Sequence, residues 1–383
     1  MNEESRMTRA VMGDMSQLNV AVIEGDGVGP EMMAEALKVL EAVSRLWNHK
    51  LRLSKVSACG QAIDRCGDPL PEESLNCCKQ AGAVLFGNSG LEKYKAYPLE
   101  KRPEYALLRL RKELGVTTNI RPVHIYPQLA ALSPLKERQI GQGVDIVFVR
   151  DIVGGVLCSP KYRSTGAGGR EAYEREYYNE RIVLDTADIA FKLAAQRRGR
   201  LISLDKANVL ESSRLWRKSV TQVASSYPRV QLDHCFIDTA AMRLIARPWE
   251  FDTVVTSNLF GDIIADEGAQ ITGTPRLFAS AEISAGGGAI YTPNQLHEAD
   301  ESLIGTDQIN PLGMIQAVAL MLDMTFGLKE EAKALTKAVE RVIGDGYSTV
   351  DLMCPGRVLV GTRQMGRLVI EKLEKEAIEG KER

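Results

Sequence analysis

Short apolar runs separated by longer amphipathic stretches are the feature that most limits how this chain can fold. Asn19–Asp26 (NVAVIEGD) has the continuous apolar character of a buried strand. The segment after its glycine turn, PEMMAEALKVLEAVSRLW, carries apolar side chains at helical spacing, and Pro30 suits a first helical position. AGAVLFGN, VDIVFVRD, RLISLDK and FDTVVTSN read as further strands, and NPLGMIQAVALMLDMTFGL and KEEAKALTKAVERVIGDG as helices. Strands alternating with helices predict an α/β protein with substantial parallel pairing. At 383 residues the chain exceeds one typical domain and suggests two. Its 44% hydrophobic and 26% charged residues predict a soluble globular protein with a sizeable core.

Several function classes drop out. The formal net charge is −2, and no basic block points to nucleic acid or an anionic membrane surface. No apolar run approaches the roughly 20 residues of a membrane span. Residues 1–17 are polar and contain acids, unlike a signal or transit peptide, and are expected to be a flexible tail on a cytoplasmic protein. The seven cysteines are scattered without a CxxC pair, which predicts reduced thiols rather than disulfides or structural zinc.

The turn EGDGVGPE spaces Gly25, Gly27 and Gly29 differently from the dinucleotide-binding GxGxxG, and no acid closes a second strand about 20 residues on. A tight strand-to-helix turn and a ligand loop both fit it. In NLFGDIIADEGAQ, Asp262 and Asp266 stand four apart, so a helix there projects both from one face. Two carboxylates so placed repel unless they share a divalent cation, although a solvated helix face is the commoner reason for such a pair. Asp238, after another apolar run, is a candidate third oxygen ligand, and hard oxygen donors favour Mg²⁺ or Mn²⁺. Arg109, Arg111 and Arg121 cluster along the chain, and Arg150 ends a strand. Converging guanidinium groups suit a dicarboxylate, whereas surface ion pairs remain the plainer reading for Arg109. Lys206 lies just past an apolar strand, where it could carry a proton.

GDGVGPE, PEYALLRLRKELG, NIRPV, VRD, SLDKANVLESSRLWR, NLFGDIIADE and YSTVDL, in this order, resemble the β-decarboxylating dehydrogenases acting on isopropylmalate, isocitrate, homoisocitrate, tartrate or D-malate. The resemblance runs from about Asn19 to near Gly366. It implies doubly wound α/β sheets of the isocitrate/isopropylmalate dehydrogenase type, not a Rossmann fold, in two interleaved domains. Residues 18–120 with 267–383 would form the cofactor-binding domain, and 121–266 the dimerisation and catalytic domain. It further implies a homodimer with shared active sites. Arg111, Arg121 and Arg150 would hold the malate carboxylates. Asp262 and Asp266, with Asp238 of the second chain, would bind Mg²⁺ or Mn²⁺. Lys206 of the second chain would take the hydroxyl proton, and Asn208 would lie near the nicotinamide. Val28 of the glycine turn would also contact the cofactor.

Glu104, Leu107 and Leu108 match the isopropylmalate pattern, in which two leucines face a branched alkyl group. Burying that group is worth roughly 1.5–3 kcal/mol, and a carboxylate there would be costly. The resemblance thus implies NAD-dependent oxidative decarboxylation of 3-isopropylmalate, in leucine biosynthesis. The sequence departs from the pattern twice. The cofactor segment YTPNQLHEADESLIGTDQINP is longer and poorer in glycine; His297 and Asn310 are its expected adenosine contacts. Asp300 or Glu301 falls where an acid reads the ribose, which favours NAD over NADP. Leu157 stands where the isopropylmalate enzymes carry a tyrosine that assists proton transfer, and Tyr162 could replace it if its loop bends back. These departures keep two alternatives open: a dehydrogenase for another 3-alkylmalate or D-malate, and a catalytically impaired regulatory subunit.

Overall fold

The computed structural model describes residues 16–294 and 301–381. The chain divides into two compact units. Unit 1 takes in the chain up to Gly115, Arg276–Ala281 and the chain from Gly286 onward; unit 2 is Val116–Pro275 with Glu282–Ala285.

In unit 1, strands β1 (Gln17–Ile23), β2 (Lys50–Lys55) and β3 (Ala83–Phe86) pair in parallel, with β1 between the other two. β1 begins inside the stretch expected to be tail, because Gln17 already pairs with Lys50. In unit 2, β4 (Thr118–His124) runs antiparallel to β5 (Asp145–Asp151), and β6 (Tyr162–Gly166) and β7 (Gly169–Tyr173) form a separate hairpin. β8 (Arg200–Asp205), β9 (Gln231–Phe236) and β10 (Thr253–Thr256) complete the order β4-β5-β10-β8-β9, parallel from β5 to β9. β11 (Ala279–Ile283) has its first three residues in unit 1 and its last two in unit 2. β12 (Ala289–Pro293) returns to unit 1 and pairs in parallel with β3, and β13 (Tyr347–Ser348) and β14 (Val358–Leu359) form a short parallel ladder.

The central strands read as unbroken apolar runs because both of their faces are covered. Val20–Ile23, all of β3 and all of β10 are buried. The outer strands β2 and β9 instead expose Lys50, Arg52, Lys55, Gln231 and Asp233, and charges of this kind discourage pairing with another chain. The first helix, Gly29–Leu46, has Pro30 in its first turn. Helix Leu312–Met324 is apolar nearly all round and is buried accordingly. Helix Glu180–Gln196 is capped by Asn179, whose side chain accepts from Ile182 N at 3.0 Å. Among the described residues, no helix is long and apolar enough to cross a membrane.

Candidate active site

Parallel strands bring their carboxyl ends to one edge of a sheet, which is where open α/β sheets bind ligands. In unit 2 that edge gathers the chemistry-bearing residues. Arg150 is the penultimate residue of β5, and Lys206 directly follows β8. Asp238 lies in the first turn of helix Ile237–Ala246, just past β9. Helix Asn258–Gln270, just past β10, carries Asp262 and Asp266 one turn apart. Between the two acids, Ile264 is buried and Ile263 is exposed, so the aspartates flank a helix that is only partly sunk into the unit.

The carboxylates are already paired with cations. Arg150 Nη1 binds Asp262 Oδ1, and Arg121 Nη1 lies 2.6 Å from Asp266 Oδ1. Both arginines are largely buried, while the carboxylates of Asp262 and Asp266 remain 45% and 66% exposed. Lys206 Nζ lies 2.8 Å from Asp238 Oδ1, and that bond holds the Asp238 carboxyl below the usual aspartate range. The backbone around Lys206 is fixed from two sides. Its own N–H donates to Ser213 Oγ at 3.1 Å, and Ala207 N–H donates to Asp205 Oδ1 at 2.9 Å. Asp205 is buried and takes two bonds from Arg217, at 2.8 and 2.9 Å. Among the described residues, no three His, Cys, Asp or Glu side chains of this chain gather as a metal set, so Asp238 does not join Asp262 and Asp266 within one chain.

In unit 1 the glycine turn follows β1. Gly25 has φ +80°, and a Cβ there would fall 2.0 Å from Asn88 O, so the position requires glycine. Asp26 is buried beside it and accepts from Gly60 N at 2.8 Å and Gly90 N at 3.0 Å. Burial pushes its pKa up to about 6 against those bonds. Glu104 precedes helix Tyr105–Leu114, and among the described residues its buried Oε2 has no hydrogen-bond donor. On that helix Leu108 is exposed and Arg111 half-buried, whereas Leu107 is buried in unit 1. The expected apolar wall is therefore Leu108 alone, and Leu107 packs beneath it in the core. Arg109 is tied to Glu72 at 2.7 Å and to Leu70 O at 2.7 Å, the surface pairing considered for it above.

The expected cofactor contacts are not all available. Val28 is fully buried, so it presents nothing to a ligand. Asn310 is buried as well; its Nδ2 donates to Asp351 Oδ2 at 3.0 Å and its Oδ1 accepts from Leu312 N at 2.9 Å. Both ends of its amide are thus taken up within unit 1 rather than offered to an adenosine. Glu301 and Asn208 are exposed, and Glu301 Oε1 accepts from Glu92 N at 2.6 Å. His297 and Asp300 lie outside the described residues. Leu157 is 39% exposed in the short helix Gly155–Cys158. Tyr162 does not fold back. It opens the exposed β6–β7 hairpin, where its ring stacks on Tyr173 with centroids 4.7 Å apart and Arg175 lies over it at 6.0 Å.

Sequence reading passed over three residues that shape this site. Asn258 and Gly261 lie inside the quoted NLFGD motif, and Tyr178 is the second of two adjacent tyrosines. Asn258 Oδ1 accepts from Arg150 Nε at 3.1 Å and from Nη2 at 2.7 Å. A Cβ on Gly261 would meet Arg150 Cγ at 2.7 Å, so a glycine inside a helix marks where the arginine stem crosses it. Tyr178 OH donates to Asp151 Oδ2 at 3.1 Å and accepts from Asn258 N at 2.8 Å. Burial raises the pKa of Tyr178, and it raises that of Asp151 to about 6.

Residues 19–369 match the family model described as isocitrate/isopropylmalate dehydrogenase. A 3-isopropylmalate dehydrogenase of Clostridium acetobutylicum is 44% identical over 94% of this chain and 100% of its own length. One from Nitratidesulfovibrio vulgaris is 43% identical over 93% of this chain and 99% of its own. Among solved structures, isocitrate dehydrogenase from Methylococcus capsulatus superposes with a TM-score of 0.79 at 25% identity, covering 94% of this chain and all of that one. A β-decarboxylating dehydrogenase from Thermococcus kodakarensis gives 0.76 at 28% identity, covering 94% of this chain and 97% of that one. With near-complete coverage by both comparisons, the chain belongs to the isocitrate/isopropylmalate dehydrogenase family and is an enzyme of the β-decarboxylating dehydrogenase type.

Proposed function

We propose that the protein oxidises and decarboxylates 3-isopropylmalate with NAD and a divalent metal, as a cytoplasmic homodimer serving leucine biosynthesis. The arginine–aspartate pairing on helix Asn258–Gln270 carries this reading, together with relatives of that name at above 40% identity. Arg111, Arg121 and Arg150 bind the carboxylates of the malate. Leu108 and Glu104 read its third substituent. Lys206 Nζ of the second chain takes the proton of the C2 hydroxyl, and Asp238 of that same chain holds the lysine in place beforehand. NAD, when bound, would take the C2 hydrogen as hydride; the resulting β-keto acid would lose its C3 carboxylate as CO₂, and the electron pair left on C3 would take a proton from water.

The residues fit the groups they would hold. Asp262 and Asp266 offer exposed hard oxygen donors one helical turn apart, which suits Mg²⁺ or Mn²⁺. Asp238 of the second chain would supply the third carboxylate. When bound, the metal polarises the substrate hydroxyl and its neighbouring carboxylate as a Lewis acid. For NAD, the buried and unpartnered Glu104 Oε2 is an acceptor awaiting a ligand donor. The exposed carboxylate of Glu301, or Asp300, would accept from a ribose 2′-hydroxyl and repel a 2′-phosphate. A second chain is supported by the exposed Met242, Ile245 and Ile263 on the two helices that bear Asp238 and Asp262. Seven free cysteines suit a reducing compartment.

NADH absorbance with Mn²⁺ and a panel of malates tests the reading. 3-Isopropylmalate should be turned over far better than isocitrate or malate, and with NAD in preference to NADP. Comparable turnover of isocitrate overturns the substrate, and no turnover of any malate supports an impaired subunit. Leu157 in the tyrosine position favours, as second reading, a different 3-alkylmalate or D-malate; the same panel ranks these substrates.

A further inference from the structure

We propose that Asn258 is a positioning residue for Arg150, holding the guanidinium so that its Nη1 edge faces Asp262 and the bound carboxylate. The proposal rests on the reading of Arg150 as a carboxylate-binding group. An arginine on a long flexible stem binds a carboxylate well only if its planar fork is held at the right angle beforehand. In unit 2 the stem is trapped first, because Arg150 Cγ and Cβ lie 2.7 and 2.9 Å from where a Gly261 Cβ would be. The head is then held by Asn258 Oδ1, which accepts from both Nε and Nη2, while Nη1 binds Asp262.

The orientation of the amide follows from its neighbours. A guanidinium can only donate, so Oδ1 must face Arg150. Nδ2 donates to Gly154 O at 2.9 Å, and a carbonyl can only accept. The flipped amide would set donors against donors and oxygen against oxygen. Asn258 is itself held, since its N–H donates to Tyr178 OH at 2.8 Å, and Tyr178 OH donates to Asp151 Oδ2 at 3.1 Å. Asp151 Oδ2 also accepts from Gly154 N at 2.8 Å. The strand end bearing Arg150, the loop after it and the start of the aspartate-bearing helix therefore share one closed hydrogen-bond circuit. Asn258 and Tyr178 are both buried, so water does not substitute for its members.

Steady-state kinetics of Asn258→Leu, Asn258→Ala and Asn258→Asp, with Mn²⁺ and NAD, tests the role. Leucine matches the shape of asparagine without an acceptor, and so guards against a cavity that unfolds the alanine variant. Aspartate keeps an acceptor for Arg150 but loses the donor to Gly154. Arg150 grips the substrate in ground and transition states alike, so the leucine and alanine variants should raise KM for 3-isopropylmalate about tenfold or more, with kcat within about threefold and KM for NAD unchanged. Asn258→Asp should recover most of that KM. An unchanged KM in Asn258→Leu, or equal behaviour of the aspartate and leucine variants, overturns the proposal. A crystal structure of Asn258→Leu decides it apart from substrate identity: the Arg150 guanidinium should leave its wild-type plane, and an unchanged guanidinium overturns the clamp. If the wild-type protein oxidises no malate, the substrate reading fails while that structural result still stands or falls alone.

Discussion

At the scale of single residues, the missing tyrosine hydroxyl is the sharpest departure. Leu157 cannot donate a proton, and Tyr162 is engaged in its own hairpin with Tyr173. Neither residue is thus expected to fill the role from within one chain. A positioned general acid typically contributes about 10²–10⁴-fold, so Leu157→Tyr should speed formation of the decarboxylated product, whereas Tyr162→Phe should be silent. Single-turnover measurement of CO₂ release checks both, and a tenfold loss in Tyr162→Phe would return the role to that residue. Asp26 gives a pH prediction. Its folded pKa of about 6 lies above the unfolded value of 3.8, so its contribution to stability is full below about pH 4 and lost as pH rises through 6. Urea midpoints of wild type minus Asp26→Asn should fall between pH 4 and 7 and stay flat above. A difference that instead rises over that window means the carboxyl is ionised throughout.

Among the elements, helix Asn258–Gln270 does most to assemble the site. It supplies both candidate metal ligands, faces two arginines and begins with the residue that clamps one of them. Gly261→Ala should drive its Cβ into Arg150 Cγ and Thr256 Cγ2, each 2.7 Å away. Overpacking of this kind costs roughly 1–3 kcal/mol, so a lower melting temperature together with a raised KM for the malate is expected. Wild-type values for both would mean that the helix shifts freely. The element pattern was largely legible, because the buried parallel strands had continuous apolar runs and their helices had amphipathic ones. Sequence put Arg150 at the end of a strand, Lys206 just past one and Asp262 one helical turn before Asp266, and the elements lie so. It could not say that Leu107 is buried while its neighbour Leu108 is open, since adjacent helical residues differ only by rotation about the axis. Nor could it separate an asparagine engaged in internal hydrogen bonds, Asn310, from a ligand-binding one, because both uses need the same amide.

For the whole molecule, the two halves of the proposed chemistry do not meet, among the described residues, as one metal set in a single chain. Lys206 and Asp238 form one pair, and Asp262 and Asp266 stand with their arginines in another group. If the site is shared, Lys206→Ala and Asp262→Asn proteins, each inactive alone, should regain activity after subunit exchange, because a mixed dimer holds one site built from intact parts. Exchange verified by mass spectrometry without recovered activity would show that each chain works alone.

The division of the chain into units also fixes an order of events during synthesis. Unit 2 is nearly continuous from Val116 to Pro275, whereas unit 1 draws on segments that precede and follow it. The ribosome therefore releases β1, β2 and β3 long before β12, the partner that pairs with β3. At about 5–20 residues per second, the residues between β3 and β12 hold that edge open for tens of seconds. The middle unit can fold meanwhile, but the apolar face of β3 has to wait, and nascent chains of this protein are expected to engage chaperones through the earlier segment rather than the later one.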